Sequence, residues 1–520
     1  VFSEILGKKH VGINHNFFLL GGHSLRAAWL VNRIEEKTGG HLTIRDVFAN
    51  QTPKALALKV DKGRKYCSLP RAAEQEYYAM SSAQKRIYLT SQLDSNGTFY
   101  NEQQVLFLKG EVLSEKLQAA LQALIDRHEI LRTEFVIRDR ELMQRILPYA
   151  ASDFDVIEDW ETPESELMAA FVQPFELSKA PLFRARLVKR TGGSLLLLDI
   201  HHIITDGMSD EIFLKEFAAL YNGDRLEELT HQYKDYSEWM GQRDLSRQKA
   251  YWMKQFETDI PVLDLTLDGR RMQKQSHKGA VLRKKVSSEL EKRIKRMASE
   301  KSATEYMIFL SAAMILLSKY SRQEDIVIGS AISGRTHPDT EKLLGMFVNT
   351  VAMRGKPEGG KLYTDFLNEI RENCIAAYEN QEYPFDDLVE ALDIRRDMSR
   401  NPLFDVMLVM QNNEQAVYKF NGVETEVHQV PLREAKYELI FNIEVDNDGY
   451  FINLEYCSDL FRVENVESFA RHYIEVLEQI TKNSTQKIAD IHAITKEEEK
   501  LILGKFNDTA REYPREKTIA

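Results

Sequence analysis

Three cysteines in 520 residues is a low count, and Cys67, Cys374 and Cys457 lie far apart. They cannot all pair with one another, and their spacing matches no metal site, so neither a disulfide framework nor a metal centre is expected. So little cysteine fits a reducing cytoplasm. No run of about eighteen or more apolar residues occurs, which argues against a membrane-spanning helix. The basic, apolar and small-residue series of a signal peptide is missing too. There is no initiator Met, and Val1 reads as the middle of a segment, so we expect a piece of a longer polypeptide. Nor is positive charge in excess. The 69 Lys and Arg against 80 Asp and Glu leave a net charge of −11, which argues against a nucleic-acid partner and is otherwise plain solubility.

What is present is enough chain for two or three domains. Residues 1–60 read as a small helical unit with more Lys and Arg than Asp and Glu. Ala27, Val31 and Ile34 recur at helical spacing after Ser24, Gly39-Gly40 stops that helix, and Thr52-Pro53 opens a later one. Residues 61–77 are polar and weakly periodic, as in a linker. Beyond them helices and strands alternate. Leu117, Ala120, Leu121 and Leu124 mark a helix that leads into Leu131 to Phe135. Leu195 to Ile200 is a short, nearly continuous apolar run, as for a buried strand. His201-His202-Ile203-Ile204-Thr205-Asp206-Gly207 follows, and Phe213, Phe217 and Leu220 resume helical spacing. The histidines therefore lie on a strand-to-helix loop, where scaffolds commonly present catalytic groups. From about residue 257 the texture repeats, with a helix over Tyr306 to Tyr320, a strand over Asp325 to Gly329 and a hairpin at Asp446-Asn447-Asp448-Gly449.

Two stretches carry chemistry. A serine at a helix start, as Ser24 is after Gly21-Gly22-His23, ordinarily caps a free backbone N–H. Here two glycines let the backbone turn tightly and keep the hydroxyl exposed. A phosphate esterified to it would face the unpaired N–H groups of the helix. For paired histidines a structural or metal-binding role is the usual rival. Neighbours on a strand point to opposite faces, so at most one of His201 and His202 need face a cavity.

The stretch Asn16-Phe17-Phe18-Leu19-Leu20-Gly21-Gly22-His23-Ser24-Leu25 resembles the core of a peptidyl carrier domain of nonribosomal peptide synthetases. The resemblance implies that Ser24 carries 4′-phosphopantetheine, whose thiol holds an aminoacyl or peptidyl thioester. His201 to Gly207 resembles the HHxxxDG signature of condensation domains, whose fold resembles chloramphenicol acetyltransferase. Further motifs of that family are matched, in order, by Ser82 to Arg86, Arg127 to Thr133, Tyr233 to Tyr236 with Trp239, Gly345 to Thr350, Asn380 to Phe385, and Arg400 to Phe404. The resemblance implies a multidomain chain. A small all-α four-helix carrier domain occupies 1–60 and a linker 61–77. An α/β condensation domain of two chloramphenicol-acetyltransferase-like lobes follows at 78–256 and 257–505. Residues 506–520, with Phe506-Asn507-Asp508-Thr509, resemble the approach to an adenylation domain.

The resemblance also implies roles. His202 is the functional histidine and His201 a structural one. Asp206 makes a buried salt bridge with an Arg, for which Arg335 is the first candidate and Arg132 the alternative. Gly207 permits a tight turn and close approach of the substrate arm, and Asn349 belongs to a supporting motif. Tyr383-Pro384-Phe385 and Asn401-Pro402-Leu403-Phe404 read as fold maintenance. The activity implied is amide formation between an upstream carrier-bound acyl group and the amine of a downstream aminoacyl carrier. His202 is then a general base, a stabiliser of the tetrahedral intermediate or an orienter of the amine. Partners implied are the downstream carrier, upstream and downstream adenylation domains, and a phosphopantetheinyl transferase. No epimerisation domain separates carrier and catalyst, so an L-configured donor is expected. The rivals are an epimerisation domain of the same fold and a non-catalytic carrier-docking module. A free acyltransferase using coenzyme A thioesters would leave Ser24 unexplained.

Overall fold

The computed structural model describes residues 1–61, 67–93, 97–394, 397–411, 418–428, 430, 434–446 and 448–510. Asn447 of the expected hairpin turn, part of the expected linker, and residues 511–520 lie outside the described residues.

The first unit has four helices: α1 (Phe2–Ile5), α2 (Ser24–Thr38), α3 (Ile44–Ala49) and α4 (Pro53–Ala57). Their ends follow from local chemistry. Gly39 closes α2 in the left-handed conformation at φ 65°, which a side chain would resist. Thr43 and Asp46 form a capping box on α3, and Thr52 caps α4 ahead of Pro53. Leu6, Phe17, Ala27, Leu30, Leu42, Phe48 and Leu56 are buried between them.

The first lobe contains β1 (Tyr77–Ala79), α5 (Ser82–Leu93), β2 (Asn101–Lys109), α6 (Ser114–Arg127), β3 (Thr133–Arg138), β4 (Glu141–Ile146), β5 (Phe154–Glu158), α7 (Glu164–Phe171), β6 (Phe183–Arg190), β7 (Gly193–His201), α8 (Gly207–Asn222), α9 (Tyr233–Gly241) and α10 (Ser246–Gln255). Strand β7 is covered on both faces. Leu196 and Leu198 pack with Phe213 and Phe217 of α8, and Leu195 and Leu197 pack with Leu167 and Phe171 of α7. That double burial is why the strand reads as a continuous apolar run rather than an alternating one.

The second lobe contains β8 (Gly279–Lys285), α11 (Ser288–Glu300), α12 (Glu305–Ser321), β9 (Ile326–Ile332), β10 (Asn349–Gly355), α13 (Tyr363–Glu379), α14 (Phe385–Ala391), β11 (Val406–Gln411), β12 (Glu424–His428), β13 (Leu439–Asp446), β14 (Gly449–Cys457), α15 (Val463–Lys482) and α16 (Lys496–Lys500). Its six-stranded sheet runs β10-β9-β11-β13-β14-β8. Helix α12 is buried from Met307 through Leu317, the pattern of a central helix covered on all sides. One strand crosses over. β12 leaves the second lobe and pairs antiparallel with β2, completing the order β12-β2-β7-β6-β5 in the first lobe's sheet. The two lobes are thus tied by backbone hydrogen bonds.

The four-helix unit rests on the second lobe. Arg33 Nη2 lies 2.8 Å from Glu341 Oε2, and Arg45 Nη1 lies 2.8 Å from Glu372 Oε2 with its Nε 3.4 Å from Glu379. Reversing both cations, Arg33→Glu with Arg45→Glu, sets like charges against each other, so we expect the unit to detach while both lobes stay folded. Small-angle scattering checks this as a rise in the radius of gyration with an unchanged circular dichroism spectrum.

Candidate active site

Strand β7 ends at His201, which pairs with Asn101 of β2. The chain then turns through residues 202–206 before α8 begins at Gly207. His201 is buried, and its Nδ1 accepts a hydrogen bond from Ile203 N at 3.2 Å. Burial pushes its imidazole down to about 3, so it stays neutral.

His202 is held differently. Its backbone N–H donates to Tyr100 O at 2.7 Å, and its Nδ1 lies 2.8 Å from Thr205 O. A carbonyl only accepts, so Nδ1 carries the ring proton and Nε2 keeps a free lone pair. Burial and then the charge of Lys436 hold the imidazole below its ordinary value of 6.5, so the ring is neutral at pH 7. Nε2 points toward Glu102 Oε1, 3.8 Å away.

Asp206 caps α8. Its Oδ1 accepts from Ser209 N at 2.8 Å and from Arg335 Nη2 at 3.2 Å, and its Oδ2 accepts from Phe347 N at 3.0 Å. Arg335 also donates to Leu343 O at 2.8 Å and to Thr340 O, and its guanidinium lies 4.0 Å from the centre of the Phe347 ring. Both members of the pair are almost completely buried. Arg132 is elsewhere, donating to Leu147 O at 2.9 Å and Ile125 O at 2.7 Å, so it fastens the end of α6 and does not reach Asp206. Asn349 fastens another loop. Its Nδ2 donates to Gln381 O and Tyr383 O, each at 2.8 Å, and its Oδ1 accepts from Phe385 N at 3.1 Å.

Two expectations need correction. Gly207 does not make a tight turn, because it is the first residue of α8 and has no positive φ. The turn belongs to the capping residue before it. A Cβ at Gly207 would meet nothing within 4 Å, so the space beside it is open, as an approaching arm requires. Ser24 is the first residue of α2 and not its cap, which is His23. Its hydroxyl, expected to be exposed, is covered, with Tyr378 of the second lobe beside it. The preceding glycines have separate reasons. Gly21 is left-handed at φ 98°, and a Cβ on Gly22 would sit 2.4 Å from the Phe17 ring.

Ser24 lines a cavity of about 550 Å³ shared by the four-helix unit and the second lobe, with Tyr306, Ser330, Arg335, Thr336 and Tyr378 in its wall. A serine hydroxyl at the edge of such a space fits the attachment of an extended group.

The motifs missed three residues around His202. Glu102 Oε1 lies 2.7 Å from Lys436 Nζ. Burial favours the neutral acid, but the charge and hydrogen bond of Lys436 act against it and Glu102 is brought down to about 2. Asp210 accepts from Thr205 Oγ1 at 2.5 Å, and burial pushes its carboxyl up to about 7. The Glu102 side chain is 34% exposed and reaches Lys436 of the other lobe. Among the described residues no group of three or more His, Cys, Asp or Glu is arranged to hold a metal ion, and no helix is long and apolar enough to cross a membrane.

Two expectations follow. Arg335→Ala leaves the Asp206 charge buried and unpaired, which costs about 3–5 kcal/mol of stability. Denaturant unfolding measures it, and pairing the change with Asp206→Asn recovers part of the loss. Only the neutral imidazole of His202 can accept a proton, and its folded value is depressed. Activity that needs this base is therefore present above that value and lost as pH falls through it, so the acidic limb lies below pH 6.5. Carbon-13 titration of labelled histidines, assigned with His202→Gln, locates it.

Comparison with known proteins gives two family matches: "Condensation domain" over residues 74–503 and "Phosphopantetheine attachment site" over residues 1–60. Bacitracin synthase 3 of Bacillus licheniformis is 41% identical over 100% of this chain, and tyrocidine synthase 3 of Brevibacillus parabrevis is 39% identical over 100% of it. The chain spans 8% of each of these relatives. Among solved structures, the X-domain in complex with OxyB from teicoplanin biosynthesis aligns with TM-score 0.77 at 22% identity, covering 83% of this chain and 99% of that one. The first condensation domain of the calcium-dependent antibiotic synthetase, in complex with substrate analogue 3a, aligns with TM-score 0.67 at 17% identity, covering 81% and 99%.

Proposed function

We propose a function from the premise that this chain belongs to the condensation-domain family and carries a phosphopantetheine attachment site ahead of it. It forms the amide bond of nonribosomal peptide synthesis, joining the acyl group held by its own carrier unit to the amine of an aminoacyl group on a downstream carrier. The observation that carries this reading is His202. Its ring is oriented through Nδ1, and its Nε2 faces Glu102, which Lys436 of the second lobe holds.

The neutral ring has one N–H, and that proton is committed to Thr205 O. It therefore has no hydrogen to offer an oxyanion until it has taken one. This favours His202 as the acceptor of the amine's proton, with imidazolium formed only as the amine attacks. Asp206 and Arg335 hold the loop that aims the ring and transfer no proton themselves. His201 packs and Gly207 leaves room.

Ser24 is the attachment point for 4′-phosphopantetheine, with Tyr306, Ser330 and Thr336 lining the space beside it. When bound, that group supplies a terminal thiol that holds an acyl chain as a thioester. Holding both reactants raises their effective concentration, so the site needs little affinity for either.

The partners are the downstream carrier, adenylation domains that charge the two carriers, and a phosphopantetheinyl transferase that modifies Ser24. The free cysteines fit a reducing cytoplasm, and the donor residue is L-configured. The fold alone does not dictate chemistry, since a structural neighbour is an X-domain in complex with OxyB. His202 and its loop are what favour catalysis over mere docking.

The test is a product assay by mass spectrometry with Ser24 loaded and an aminoacylated downstream carrier added. Dipeptidyl product should form with the wild type. Ser24→Ala abolishes it, and His202→Ala lowers its rate by about 10²- to 10⁴-fold. A racemised α-centre without dipeptide would instead identify epimerisation.

A further inference from the structure

Glu102 and Lys436 belong to none of the motifs, and they stand at the reacting edge of His202. The 3.8 Å between Glu102 Oε1 and His202 Nε2 is too long for a direct hydrogen bond. It is short enough for a third atom to sit within about 2.9 Å of both. Such an atom has to donate twice. The carboxylate only accepts, and Nε2 has only its lone pair because the ring proton is on Nδ1. A primary amine or ammonium nitrogen carries the two hydrogens this requires, whereas a hydroxyl carries one.

From this gap we infer that Glu102 is the receptor for the acceptor's α-ammonium, holding one N–H while His202 Nε2 faces another. The inference rests on the amide-forming reading of the site. Glu102 is ionised throughout the neutral range, so it binds the cation and is not the base. Lys436, on the opposite lobe, is the positioning residue. Its Nζ anchors Glu102 Oε1 at 2.7 Å. Its charge also offsets part of the carboxylate's field, so the ammonium is recognised without being locked against deprotonation. The ammonium first releases one proton to solvent; as the resulting amine attacks, the new C–N bond forms, its second proton passes to Nε2, the C–S bond breaks and Nε2 returns that proton to the departing thiolate. The remaining N–H stays on Glu102 as the amide is released.

The experiment compares two acceptors on the downstream carrier, an α-aminoacyl and an α-hydroxyacyl thioester of the same side chain, with the full chain loaded at Ser24. Wild type should prefer the amine. Glu102→Gln keeps the shape and removes the charge, and should lower the amine-over-hydroxyl ratio of kcat/KM by about tenfold or more. Lys436→Met should lower it by less. Calorimetry with soluble aminoacyl and hydroxyacyl pantetheine amides reads the same preference in binding, with or without turnover. A ratio unchanged in Glu102→Gln by both measurements, or an equal loss on both acceptors from a chain with wild-type melting, overturns the inference. Failure of the wild type to form dipeptide sinks the amide-forming reading instead, while calorimetry still judges Glu102.

Discussion

Everything at the reacting centre hangs from one buried ion pair. Asp206 and Arg335 come from opposite lobes and are both nearly inaccessible to water. Two charges buried in this way stabilise only when their remaining hydrogen-bonding capacity is met. Here Ser209 and Phe347 meet it on the carboxylate, and the carbonyls of Thr340 and Leu343 meet it at the end of the guanidinium, leaving the Arg335 Nε without a partner. The same carboxylate caps α8, which fixes where the helix starts and therefore where the loop before it ends. Thr205, the residue before the cap, offers the carbonyl that orients His202. A contact between lobes thus becomes the tautomer and direction of one imidazole within two residues of chain.

The Glu102 side of that imidazole has a contrasting logic. His202 is kept neutral by burial and by a nearby ammonium, while Glu102 is kept charged by that same ammonium. One cation on the second lobe pushes two groups on the first lobe toward the protonation states that proton transfer needs, a free base beside a fixed anion. Asp210, by contrast, sits where burial dominates, and its proton is retained close to neutrality. The site is therefore graded: neutral ring, ionised Glu102, and an acid at Asp210 behind Thr205.

Much of this was legible in the chain, for identifiable reasons. The double-sided burial of β7 leaves a continuous apolar run, and the helix after it leaves a 3.6-residue period, so the loop carrying His202 could be placed between them. Arg335 stood first with Arg132 as the alternative, and only the fold decides between them because sequence does not say which loop crosses between lobes. Gly207 was misread because a glycine beside an aspartate suggests a turn, whereas here the aspartate is a cap and the glycine is already helical. Glu102 and Lys436 are 334 residues apart and carry no local spacing, so only the fold brings them together. The cover over Ser24 was invisible for the same reason, since residues 1–60 contain no trace of the surface they rest on.

That resting surface has a consequence for how the carrier unit works. The ion pairs that hold it differ sharply from the pair that holds the lobes. Arg45 and Glu372 are about half exposed, and Arg33 and Glu341 are roughly a fifth exposed. Exposed pairs contribute about 0–1 kcal/mol each and weaken with salt. The Asp206–Arg335 contact is buried and tied into further hydrogen bonds with Ser209, Phe347, Thr340 and Leu343. Under the proposed function a carrier leaves the condensing site to be reloaded, whereas the lobes keep one imidazole aimed through every cycle. Wet charge pairs on the moving part and a buried one on the fixed part meet those two requirements within a single chain.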